Sequence, residues 1–354
     1  MNTFNGVMMR LKLWINGWVA GLKQPVNVLM VGLTLSFAPM LQATELKIST
    51  QYPDGNMVLN ELRRAGQAIK TETEGRVDVR FYPGGVMGDD QAVQRKIRIG
   101  QLQGAFIQSG ALATAFPDAQ VMNAPLLFRD YDEVDIVRAA LANQIEAGLA
   151  SSGWQTYGII EAGFAYGMSQ QPITSIDSLK AQKIWLPAND PFSEQIARAF
   201  GINPIILNIG DVLTALQTGA IDAIVAPPVG AITLQWFSRV NHLTDAPFMY
   251  TYGFVALSDR ALQRISEGDR AIIDAQFRAA SERIDRQTRI DNQRALDALE
   301  RLGLNIIEPD AQARADLERE SEAATRRLIA QRQFSNGIYE QVLDLLETHR
   351  ANGS

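Results

Sequence analysis

One stretch limits the architecture more than any other: from Ser266 to Gly303 nothing but Gly268, in the first turn, interrupts a helix. Ser266 with Asp269 resembles a capping box, and Gly303 supplies a C-terminal stop. A helix over 267–302 is about 54 Å long at ~1.5 Å per residue. Its apolar face is broken. Ile273, Phe277, Ala280 and Ile284 sit at core spacing, the stretch from Asp285 to Arg294 is almost wholly polar, and Leu296, Leu299 and Leu302 resume. Two helices joined by a turn would fit the same pattern, but no Gly or Pro marks that turn. The spacing predicts one helix packed at both ends, solvated in the middle, and bridging two separate cores.

The rest of the chain supplies those cores. Glu45 to Gln51 reads as a strand, and the following helix carries Val58, Leu62, Ala65 and Ile69 on one face. Arg76 to Tyr82 alternates Val77, Val79 and Phe81, a helix near Asp89 to Ile99 stops at Gly100, and Gly104 to Ile107 is an apolar strand. The same order returns later: a helix over Asp211 to Thr218, a stop at Gly219, and a strand over Ile221 to Ala226. Between them, Trp154 to Glu161, Gly163 to Ser169, Lys183 to Pro187 and Pro204 to Asn208 are strand-like. Two α/β lobes on one plan account for this order: lobe I from 44–165 with 252–290, lobe II from 166–251 with 291–354. No glycine-rich phosphate loop opens any helix, so a nucleotide has no seat and no cofactor is expected.

Composition removes further possibilities. With no cysteine and only His242 and His349 among 354 residues, disulfides, thiolate metal sites, cysteine nucleophiles and His-rich metal sites drop out. A net charge of −6 argues against nucleic acid as a partner. Residues 1–43 hold Arg10, Lys12 and Lys23 but no acid, then an apolar run from Val26 to Met40 and the sequence Leu41-Gln42-Ala43. That is the form of a cleaved secretory signal, and its apolar run falls short of the ~20 residues a bilayer span needs. Cleavage after Ala43 lowers the basic count from 33 to 30 against 39 acids, a net charge of −9. The expected location is a Gram-negative periplasm.

Residues 81–107, FYPGGVMGDDQAVQRKIRIGQLQGAFI, with 211–228, DVLTALQTGAIDAIVAPP, resemble the solute-binding proteins of tripartite ATP-independent periplasmic (TRAP) transporters, the DctP-type family. The match includes GWQTYGIIEAGFAYGMS and the long helix. It implies a two-lobed periplasmic solute-binding protein fold with that helix bridging both lobes. It also implies capture of a small organic solute and its delivery to the membrane subunits of a TRAP transporter. A module feeding a membrane sensor or chemoreceptor would use the same fold.

Departures from the family pattern bear on the solute. The strand after SIDSLKAQ usually carries an arginine that clamps the ligand carboxylate; here it reads KIWLP, and Trp185 stands in its place. The segment ending at Pro227 lacks the Asn-Pro of many members. A small dicarboxylate held in the usual manner is therefore disfavoured, because a buried unpaired carboxylate is costly. Trp185 is expected to offer a flat face and one N–H donor to a neutral, weakly anionic, bulky or aromatic solute. Arg95 and Arg98 are reserve cations. Tyr52, Asp54, Asn56, Gln108 and Ser109 follow strands at their carboxyl ends, where open sheets place ligands. Phe164, Tyr166, Trp236, Tyr250 and Tyr252 are aromatic candidates for lining a cleft, although core packing is the commoner fate of such residues. Catalysis has little support: Asp89 and Asp90 are adjacent residues that should diverge, and neither Ser109 nor Ser169 stands in a recognisable constellation with histidine.

Overall fold

The computed structural model describes residues 43–188 and 190–352. Apart from Ala43, the leader read over 1–43 lies outside them. The first lobe opens with β1 (Thr44–Ser49), α1 (Met57–Glu72), β2 (Val77–Tyr82), α2 (Asp90–Arg98) and β3 (Gly104–Gln108). Its three strands are parallel in the order β2-β1-β3. Asn56 begins α1 by accepting from Val58 N at 2.9 Å, and Val58, Leu59, Leu62, Ala65 and Ile69 turn inward. They meet Leu46, Ile48, Phe81 and Phe106 from the sheet in one apolar cluster.

The chain then forms α3 (Tyr131–Ser151), β4 (Trp154–Thr156) and β5 (Ile160–Ser169). The expected strand over 154–161 is thus divided, leaving the sheet at 157–159. The second lobe comes next: α4 (Ile176–Lys180), β6 (Trp185–Pro187), α5 (Pro191–Ala199), β7 (Ile205–Leu207), α6 (Val212–Thr218), β8 (Ala223–Ala226) and α7 (Pro228–Thr233). β6 and β7 pair in parallel, and a parallel bridge from Ile184 to Ala223 sets β8 beside them. Val212, Leu216, Ile221, Ile224 and Leu243 are central to its core.

β9 (His242–Ser258), 17 residues long, joins the two halves. It is antiparallel to β3, β4 and β5, so the first lobe's strands and β8 belong to one mixed sheet. β5 and β9 slip register around Gly163, Ala165 and Tyr166, the place where the paired strands pass between lobes. Gly163 has φ 99°, and a Cβ there would lie 2.5 Å from Asn292 Nδ2. Only glycine satisfies both the left-handed backbone and the close approach of the helix at that crossing.

After α8 (Asp259–Leu262) comes α9 (Glu267–Arg301), one unbroken helix of 35 residues whose cap Ser266 accepts from Asp269 N at 3.1 Å. Ile273, Phe277, Ala280 and Ile284 enter the first lobe's core and Leu299 the second's, with Leu296 partly buried beside it, as the spacing predicts, whereas Leu302, expected with them, is exposed. The middle differs from expectation on one face: Asp285, Thr288 and Asn292 are buried there, while Arg286, Ile290, Gln293 and Arg294 stay exposed. On the buried face Asp285 and Asn292 meet charged and backbone partners on α3 and β5 in place of water. β10 (Asn305–Ile307) then pairs with β9, and α10 (Ala311–Ala330) and α11 (Asn336–Asn352) complete the chain. α10 packs on α4 and α5. α11, expected with lobe II, lies instead on α3, where Arg350 Nε and Nη2 reach Glu133 at 2.6 and 2.9 Å. Among the described residues no helix is long and apolar enough to cross a membrane.

Candidate functional site

Parallel strands leave their carboxyl ends on one side of a sheet, and the loops there form the natural seat for a ligand. In the first lobe these are residues 51–56 after β1, 83–89 after β2 and 108–112 after β3. In the second they are 188 and 190 after β6, 208–211 after β7 and 227 after β8. None of the six contains a lysine or an arginine, whereas Asp54, Asp89, Asp190 and Asp211 lie among them. Val86 (70% exposed) and Ile209 (56% exposed) give each side an apolar rim.

The two sets of loops meet where α2, the turn Ser109–Leu112 and α5 converge. Asp89 caps α2 by accepting from Ala92 N at 2.7 Å, and Gln94, one turn on, donates to Ala111 O at 2.8 Å. Asp190 caps α5, accepting from Ser193 N at 3.1 Å and from Ser193 Oγ at 2.5 Å. Burial pushes the Asp90 carboxyl up to about 6, and the charges of Asp190 and Asp89 push the same way. Lys96 Nζ is held by Met87 O at 2.8 Å.

The residues singled out from sequence divide by what they touch. Gln108 is exposed at the end of β3, and Tyr52, Tyr166 and Pro227 are half-buried at strand ends or crossings. Burial alone raises the Tyr52 hydroxyl to about 12, and burial followed by Asp245 raises Tyr166 to a similar value. Trp185 does not present a free face. It is 4% exposed, its indole N–H donates to Leu207 O at 3.0 Å, and its ring meets Trp236 edge-on with centroids 5.1 Å apart. Trp236, Phe164, Tyr250 and Tyr252 are buried as well, with the Tyr252 hydroxyl donating to Ala119 O. Asp54 pairs with Arg63 at 2.6 Å and Asn56 serves as a helix cap. Arg95 and Arg98 are exposed in the last turn of α2, at the end remote from the cleft.

The serines have structural partners. Ser109 Oγ donates to Asn123 Oδ1 at 2.7 Å, and Asn123 in turn donates to Tyr250 O at 2.8 Å. Ser169 stands opposite His242 in the β5–β9 register, yet it is buried and its hydroxyl donates to Gln171 O at 2.6 Å.

Sequence reasoning missed the buried charges beside the crossing. Glu161, whose side chain is fully buried, accepts from Arg138 Nη1 at 2.5 Å and from Arg289 Nε at 2.9 Å. Asp285 accepts from Arg138 Nη2 at 2.8 Å and from Glu161 N at 2.7 Å. Arg289 also reaches Asp135 at 2.5 Å and lies over the Tyr131 ring. Burial raises the Asp285 carboxyl to about 6 even with Arg138 beside it. These groups fasten α9 and α3 to β5 next to Gly163, and Asn292 continues the tie to Ala162 O and Val229 N.

The family model of bacterial extracellular solute-binding proteins, family 7 (DctP), matches residues 48–332. The chain belongs to this family. Its relatives among family 7 proteins include the sialic acid-binding periplasmic protein SiaP of Vibrio cholerae, 22% identical over 284 residues, with 78% of this chain and 87% of SiaP covered. The 2,3-diketo-L-gulonate-binding periplasmic protein YiaO of Escherichia coli is 22% identical over 322 residues, covering 89% of this chain and 91% of YiaO. A TRAP periplasmic solute-binding protein from Haemophilus influenzae, solved with bound L-gulonate, superposes with a TM-score of 0.77 at 19% identity, covering 85% of this chain and 99% of the other. This family 7 protein therefore has the two-lobed fold of TRAP solute receptors and is a solute-binding protein. The family is one of transport receptors, and the sensor alternative draws no support from these relatives.

Proposed function

We propose that the mature chain, released from its leader in the periplasm, holds an uncharged organic solute with an apolar body between the two sets of strand-end loops and passes it to the membrane subunits of a TRAP transporter. No catalytic step is part of this reading. One observation carries it: the six loops contain no cation, and the position of the usual clamp is taken by an indole packed into the second lobe's core. An organic anion entering this cleft would find no side-chain cation in those loops to offset its lost hydration, which disfavours it. Gln108, Tyr52, Tyr166 and Pro227 supply polar and apolar contact, and Val86 and Ile209 close the apolar rim. SiaP and YiaO are named for sugar acids, so this chain would differ from them in substrate charge. Asp90, whose charged neighbours are Asp190 and Asp89, favours a second reading in which one end of the solute is an ammonium group.

Calorimetric titration of the mature protein tests this against succinate, malate, L-gulonate and sialic acid on one side and neutral aromatic, neutral aliphatic and ammonium-bearing solutes on the other. Binding confined to the second group is expected. Tight binding of any of the four acids would remove the proposal.

A further inference from the structure

Fully buried glutamines are uncommon, because an amide taken out of water needs partners for both its ends. Gln120, in the 3-10 turn Pro117–Asn123, is fully buried with only one end satisfied. Its Nε2 donates to Ser109 O, whereas Oε1 has no partner among the described residues. A methionine would fill a similar volume without an oxygen to bury. Core packing therefore does not account for an amide at this position.

What the amide holds does account for it. Ser109 opens the turn Ser109–Leu112 that follows β3, directly after the exposed Gln108. Two glutamines grip that turn by alternate carbonyls: Gln120 donates to Ser109 O, and Gln94 Nε2, on α2, donates to Ala111 O at 2.8 Å. Neither donor is charged, and both lie outside the six strand-end loops.

We infer that Gln120 and Gln94 are positioning residues, which fix the turn after β3 so that Gln108 meets the solute in one orientation. This rests on the capture reading and adds to it the residues that set the geometry of one contact. The energetics separate such a role from packing. Gln120→Met removes one unpartnered buried oxygen, Oε1, and deprives another, Ser109 O, of its side-chain donor. The two changes oppose each other, so the fold has little to lose. Ser109 O regains a donor by a shift of the turn toward water, and the effect falls on the position of Gln108.

Because the chain has no cysteine, a nitroxide on Gln108→Cys reports on this turn alone, and one on Ile209→Cys, exposed in the second lobe, serves as the control. Continuous-wave electron paramagnetic resonance spectra of both labels are recorded without solute in the parent, Gln120→Met, Gln94→Met and the double variant, beside thermal melts of the unlabelled proteins. The parent's label at 108 should show a slow-motion component. Each single variant should reduce that component and the double variant remove it, with the label at 209 unchanged and Gln120→Met melting within about 5 °C of the parent. A freely moving label at 108 in the parent, an unchanged spectrum in either single variant, or an equal change at both labels would each overturn the inference. So would a melting midpoint lowered by more than about 5 °C in Gln120→Met, which would assign this side chain to the core. Failure of every solute in the calorimetric titrations to bind a parent whose spectra are as expected would count against the capture reading and leave the role of the two glutamines standing.

Discussion

An indole whose N–H is already donated and whose ring edges against a second indole has little left to offer a solute. Trp185 is in that position, and its contribution is to stability. Trp185→Ala should cost about 3–5 kcal/mol in urea or guanidinium unfolding, the range for emptying a large buried aromatic site. A loss under about 1 kcal/mol would show the ring to be dispensable to the core. The position was legible in the sequence, because KIWLP stands where the clamp strand stands; the direction of the side chain was not. A strand of three residues offers no run of alternation from which to tell the core face from the open one. For Trp236, Phe164 and Tyr252 the commoner fate of aromatics prevailed. The lack of cations in the six loops was visible in the sequence, but it acquires meaning only when topology brings loops far apart in the chain to one place.

Among the elements, α9 shows how far periodicity reaches. Its continuity, its cap and both apolar ends could be read from 266–303, since each depends on neighbours a few residues away. Its middle could not. Asp285 and Arg289 meet Arg138, Glu161 and Asp135 across more than a hundred residues of sequence, and a polar run looks the same whether water or a buried partner satisfies it. The paired helix ends at α2 and α5 make a second element-scale case, with a pH signature. Asp90 has an ordinary unfolded carboxyl near 3.9 and a folded one raised to about 6 by burial and then by Asp190 and Asp89. The folded state therefore binds the proton more tightly than the unfolded state. The stabilising effect of that protonation is full below about pH 4 and disappears as pH rises through 6. Thermal melts between pH 4.5 and 7.5 should show Asp90→Asn more stable than the parent at pH 7.5, by on the order of 2 kcal/mol, with the gap closing toward pH 4.5. A gap that stays constant with pH would assign the effect to something other than titration at this site.

At the level of the whole molecule, the two lobes share one sheet. β3 and β5 both lie against β9, which also carries β4 and β10. A fragment of residues 44–241, which retains most of both lobes and lacks only this strand and the elements C-terminal to it, should show no cooperative thermal transition, although by length it has enough chain for two domains. A sharp melt with native-like near-ultraviolet circular dichroism would show the lobes to be autonomous. The same strand sets a timetable for the newborn polypeptide. Synthesis runs from the amino end, so more than two thirds of the chain emerges before His242 is made, and until Ser258 is added, the sheet lacks its central member. Until then the early part of the polypeptide has no complete sheet to settle into.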